Sequence, residues 1–115
     1  MGFLDLFRGR PIVVEGTNRL PEGQAKNIDI GDPLAGTGKQ VILCRVEREL
    51  YALDSKCPHE GGRIAEGQLV EGKLAMCPLH NFQFDPRTGK AVGRVCQDAK
   101  TYRVKEKDWS CEIWA

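Results

Sequence analysis

Histidine is nearly absent from this 115-residue chain: there are two, His59 and His80, and each follows a Cys-Pro pair by one or two residues. Charge of one sign is also lacking. Seventeen Lys and Arg stand against sixteen Asp and Glu, for a net charge of +1, and neither half is strongly basic, so no nucleic-acid surface is expected. No apolar run is long enough to span a membrane. The short cluster Phe3, Leu4, Leu6 and Phe7 is interrupted by Asp5 and has no basic segment before it, which excludes a signal peptide. Residues 1–10 read either as one turn of amphipathic helix or as a partly ordered tail. Five cysteines is an odd number, and without a secretion signal it indicates a reducing, cytoplasmic compartment rather than a disulfide scaffold. Length allows one domain, residues 11–115, with little room for a second catalytic unit.

What is present is concentrated in two segments, Cys57-Pro58-His59 and Cys77-Pro78-Leu79-His80. Together they offer two thiols and two imidazoles, the set needed by a [2Fe–2S] centre in which two His replace two Cys on one iron. Two blander readings compete. The residues could be structural, since free Cys is a common small buried hydrophobe. They could also hold a structural zinc, but zinc sites usually pair like ligands, with two to four residues between cysteines and three to five between histidines. Here each pair is mixed. Mixed pairs suit two metals approached by two loops, each loop giving its Cys to one iron and its His to the other. Cys57 and Cys77 would then hold the inner iron as thiolates, and His59 and His80 the outer iron as neutral imidazoles.

The stretch Cys57-Pro58-His59-Glu60-Gly61-Gly62, followed by Cys77-Pro78-Leu79-His80-Asn81-Phe82-Gln83-Phe84-Asp85-Pro86-Arg87-Thr88-Gly89, resembles the Rieske iron–sulfur proteins. The shared pattern is C-x-H, a spacer, C-x-x-H and an aromatic-rich segment ending near F-D-x-x-T-G; residues 40 to 105 carry the likeness. The resemblance implies an all-β, three-sheet antiparallel fold with a small cluster-binding subdomain of two loops, a [2Fe–2S] cluster and electron transfer. It implies an electron-donor reductase, such as a flavoprotein, and an electron-acceptor enzyme, such as a ring-hydroxylating oxygenase, as partners. Alternatively the chain is a small redox subunit or a redox-sensing module. Asn81 stands where many members carry Gly. Gly62 and Leu79 occupy the positions of the extra cysteines that clamp the cytochrome bc type, so that disulfide is not available. Phe82 and Phe84 replace the Ser and Tyr that hydrogen-bond the cluster sulfurs in high-potential members. Fewer donors to sulfur lower the potential, toward the low end of the roughly −150 to +300 mV range. A complete oxygenase is excluded, because both His are already used and no separate 2-His-1-carboxylate iron site can be built.

The remaining sequence reads as β-structure. Residues 41–46 and 49–53 flank Glu47-Arg48 as a hairpin, and 68–70 and 73–76 flank Glu71-Gly72 as another that delivers the chain to Cys77. Residues 101–105 alternate, Lys107-Asp108 turns, and Trp109, Cys111 and Ile113 share one face of a last strand. Residues 12–14 and 27–30 form early strands, and 85–89 a turn. Cys44, Cys96 and Cys111 are expected to be reduced core or surface residues, and Glu60, Arg63 and Leu79 to border the electron exit.

Overall fold

The computed structural model describes residues 11–29, 40–57, 62–79, 81–94 and 96–114. His59, His80, Pro58, Glu60, Gly61, Ile30 and residues 1–10 lie outside them. Nine strands appear in order: β1 Ile12–Glu15, β2 Gln24–Asp29, β3 Gln40–Val46, β4 Glu49–Asp54, β5 Gly67–Gln68, β6 Ala75–Cys77, β7 Phe82–Phe84, β8 Thr101–Glu106 and β9 Ser110–Trp114. Only short 3-10 turns, Thr17–Arg19 and Val92–Arg94, interrupt the β-structure among the described residues.

Seven strands form one curled antiparallel sheet in the order β1-β9-β8-β4-β3-β2-β5, and β6 and β7 form a separate pair. The three expected sheets are recognisable within this arrangement. β8 joins the first two, pairing with β4 through Thr101 and Tyr102 and with β9 through Arg103–Glu106. The β6–β7 hairpin is the third.

β3 explains why the sheet curls around it. Its sequence Gln-Val-Ile-Leu-Cys-Arg-Val is a nearly unbroken apolar run, and such runs belong to strands covered on both faces. Val41 and Leu43 pack with Leu50, Ala52, Cys111 and Ile113 on one side. Ile42, Cys44 and Val46 pack on the other with Leu53, Phe84, Cys57 and Cys77. The strand is therefore a wall shared by two cores, and the second core runs into the cluster loops.

Polar devices hold the end of the sheet away from those loops. Glu47 and Arg48 close the β3–β4 hairpin with φ of 52° and 71°, a left-handed pair usually left to Asn or Gly. Both of their N–H groups donate to the Glu22 carboxylate, at 2.6 and 2.7 Å, which offsets the backbone strain. Arg45, almost fully buried, donates to the Thr17, Leu20 and Arg48 carbonyls and to Glu106 Oε1.

Three expectations need correction. Residues 68–70 and 73–76 do not form an extended hairpin: Val70 and Leu74 make a single bridge. Gln68 turns away to pair with Gln24, and Ala75–Cys77 pairs forward with β7. Trp109 does not share the buried face of Cys111 and Ile113; it sits before β9 and is 65 % exposed. β2 begins at Gln24 rather than at residue 27, because pairing with β3 overrides its weak apolar pattern.

Candidate metal centre

Each cluster loop is the tip of a narrow β-structure. After β4 the chain passes Ser55 and Lys56 to Cys57, then returns along 62–64. Lys56 bridges Arg63, Cys57 N–H donates to the Gly62 carbonyl at 2.6 Å, and Ile64 N–H donates to the Ser55 carbonyl at 2.9 Å. The second loop is built on β6 and β7, where Cys77 faces Phe82 across the final rung. Its closing residue, Asn81, has φ 58°, so an asparagine adopts the left-handed conformation that glycine otherwise supplies. The substitution noted in the sequence thus leaves the turn in a backbone state Asn accepts.

The described flanks of the two loops lie side by side. Ala65 N–H donates to the Met76 carbonyl at 2.9 Å and ties one hairpin to the other. Gly62 makes the contact between the loops: a Cβ added there would fall 2.7 Å from Cys77 Sγ, 3.3 Å from Leu79 Cδ2 and 3.4 Å from Leu79 Cβ. Only a residue without a side chain allows the first loop to approach the Cys77 sulfur this closely. The same contact brings residues 62 and 79 together, as their likeness to the clamp positions implies.

Cys57 and Cys77 are both 1 % exposed, both belong to the core that contains Phe84, and neither is in a disulfide. Two buried cysteine side chains on adjoining loops are compatible with the thiolate half of the expected ligand set. The imidazole half, His59 and His80, lies outside the described residues. Among the described residues no group of three or more His, Cys, Asp or Glu gathers as a metal site.

The surroundings are mixed. Leu79 is 53 % exposed beside the site, and Arg63, also exposed, reaches back to Gln40 through a side-chain hydrogen bond. Behind β7, Asp85 organises the following turn. Its carbonyl accepts the N–H groups of Thr88 and Gly89, and the side-chain hydrogen bond from Arg87 holds its carboxyl below the usual value. Gly89, at φ 80°, fits where a Cβ would lie 2.2 Å from the Ala99 carbonyl oxygen. Ala99 N–H in turn donates to the Gly89 carbonyl at 2.7 Å, fastening the segment that carries Cys96. The likeness of residues 62 and 79 to the clamp positions anticipated the meeting of the two loops; the packing of Cys96 against the core that holds Cys57 and Cys77 was not anticipated and leaves no local signal.

Among the described residues, no helix is long and apolar enough to cross a membrane. The Rieske [2Fe-2S] domain family matches residues 10–105. The ferredoxin component of a naphthalene 1,2-dioxygenase/salicylate 5-hydroxylase system from Ralstonia sp. is 40 % identical over 87 residues, covering 75 % of this chain and 77 % of that protein. The ferredoxin component of the naphthalene 1,2-dioxygenase system from Pseudomonas putida is 47 % identical over 78 residues, 65 % of this chain and 74 % of its own length. In fold, the ferredoxin of carbazole 1,9a-dioxygenase from Nocardioides aromaticivorans IC177 superposes with a TM-score of 0.73 at 24 % identity, over 90 % of this chain and 95 % of that one. A family match across most of the chain, together with relatives that are ferredoxin components, leads to one conclusion: the chain belongs to the Rieske [2Fe-2S] family, carries a [2Fe-2S] cluster and acts as an electron carrier rather than a catalytic subunit.

Proposed function

We propose that Cys57 and Cys77 hold the inner iron as thiolates and that His59 and His80 hold the outer iron as imidazoles. The observation that supports this is that Cys57 and Cys77 are buried in one core, on loops that meet where Gly62 lies against Cys77. When bound, the cluster supplies one reversible electron. The chain does the rest. The two loops carry both cysteines into one core with Phe84, and Leu79 presents an exposed apolar side chain for a partner to cover.

The electron passes, in this reading, from a flavin reductase to a ring-hydroxylating oxygenase. The relatives' names as ferredoxin components of dioxygenase systems support that route. With Phe82 and Phe84 flanking the site, no hydroxyl donor comes from those positions, which supports a potential low in the Rieske range. We also read residues 11–115 as one domain behind a short tail. A cytoplasmic setting agrees with cysteines that form no disulfide among the described residues.

Cys77→Ser tests the ligand assignment. The variant should lose nearly all iron and the visible cluster absorbance, and full retention of both would refute it. Stopped-flow mixing with a flavin reductase of a dioxygenase system tests the route. Stoichiometric reduction followed by reoxidation by the oxygenase is expected; a cluster that cannot cycle would refute the carrier role.

A further inference from the structure

The curled sheet has an open seam. β1 pairs with β9, and β2 pairs with β3 and β5, but β1 and β2 are not joined to each other. Between them lies a groove of about 330 Å³ walled by Val14, Leu20, Pro21, Ile28 and Leu43. Val14, Leu20 and Ile28 are half-buried and pack on the core that contains Val41 and Leu43, so the groove is a gap in the cover of that core. A cavity of about 150 Å³ holds one benzene ring, which leaves room here for two. Exposed Glu15, Arg19 and Lys26 also border the groove, and among the described residues no ion pair engages them. Its wall at Leu20 belongs to the turn that Arg45 fastens, at the end of the sheet away from the cluster loops.

We propose that the chain's own N-terminal segment fills this groove: residues 3–7 fold back along β1 and seat the Phe3 and Phe7 rings between β1 and β2. Chain length permits it. Phe7 stands five residues before Ile12, the first residue of β1, and Val14 two after it. About 17 Å of extended chain is therefore available to cover roughly 7 Å back along the strand. Composition fits too, since Phe3, Leu4, Leu6 and Phe7 are four apolar residues in a run of five. Charge is complementary: Asp5 can meet Arg19 or Lys26, and Arg8 can meet Glu15. A tether this short holds the segment at an effective concentration of roughly millimolar, which favours it over a second copy of the chain. Seated in this way, the segment closes the seam and shields the free edge of β1. The cluster loops, at the other end of the sheet, stay open to redox partners.

Nuclear Overhauser spectra of the full, cluster-loaded chain in its oxidised state, with labelled Ile, Leu and Val methyls, test this directly. Contacts are expected from the Phe3 and Phe7 ring protons to the Val14, Leu20 and Ile28 methyls, unchanged on dilution. Replacing both rings, Phe3→Ser with Phe7→Ser, should abolish the contacts and shift those methyls alone. The same variant should bind an apolar dye such as ANS severalfold more strongly, with iron content and EPR as in the native chain. Absence of ring–methyl contacts in the native chain would overturn the proposal. So would contacts that cross between a labelled and an unlabelled copy, which assign the groove to a second molecule, or contacts to Leu34 in place of the rings. Loss of the Phe3 and Phe7 signals on adding anionic vesicles, with the groove methyls unmoved, would make the segment a membrane anchor instead and overturn it too. None of these readouts depends on which residues hold the iron.

Discussion

Replacing Arg45 by Met should destabilise the fold without altering the cluster. Arg45 Nη1 donates to Glu106 Oε1 at 2.8 Å and to the Arg48 carbonyl at 3.2 Å. Nη2 reaches the Thr17 carbonyl at 2.9 Å and Nε the Leu20 carbonyl at 3.3 Å. One guanidinium thus fastens a 3-10 turn, a hairpin turn and β8. Hydrogen bonds to charged groups contribute about 1.5–3 kcal/mol each, but their sum overstates the loss. The arginine also pays its own desolvation and about 2 kcal/mol of side-chain entropy, and Glu106, 26 % exposed, keeps some water when abandoned. Breaking a buried pair typically costs about 3–5 kcal/mol, and the partial exposure of Glu106 places this case near 3. For a chain of this size that corresponds to an apparent Tm lower by roughly 10 °C. Gln40, near the first cluster loop through its bond from Ser55 N–H, lies five residues back along β3, about 16 Å away, so the EPR signal should not change. Because cofactor loss makes unfolding other than two-state, the assay is comparative melting at one scan rate. A shift under about 3 °C would refute the reasoning. So would a changed cluster spectrum in the folded variant.

Three further outcomes follow from the same structure. Arg48→Gly should stabilise by about 1 kcal/mol, because φ of 71° is costless for glycine and its N–H can still donate to Glu22; urea midpoints of the two proteins measure it. Gly89→Ala should destabilise by about 3 kcal/mol or more, combining positive φ with a Cβ driven into the Ala99 carbonyl, and should lower the yield of folded protein in the same assay. Stability should fall as pH rises above about 9. Unfolded Cys44 and Cys111 ionise near their ordinary value while the folded thiols stay protonated to about 12 and about 11, so the unfolded state binds fewer protons. The slope is at most about 1.4 kcal/mol per pH unit per thiol, and Cys44→Val should flatten it in melts taken between those values.

The local grammar of the chain was open to reading where side-chain period and turn chemistry agree. The hairpin around Glu47-Arg48 and the alternating strand from Thr101 follow from that agreement, and the family was legible because both histidines sit beside Cys-Pro pairs. Long-range pairing was not legible: nothing in Ile12–Glu15 names β9 as its partner, and nothing in Gln24–Asp29 names β5. Phe82–Phe84 was read for its chemistry and not as a strand, since three residues are too short to show a period. The place of Arg45 was not legible either: its strand is covered on both faces and the charge is kept inside by Glu106 and three carbonyls. Cys96 gave no hint of its neighbourhood. It packs against the core that holds Cys57 and Cys77, on the segment that the Gly89–Ala99 contact fastens, which only the folded chain brings together.

The most direct test is iron and acid-labile sulfide analysis with EPR on the dithionite-reduced protein, purified without added metal. The account predicts about two irons and about two sulfides per chain and a rhombic signal from a His-ligated cluster. A colourless, EPR-silent chain holding a single zinc would contradict it.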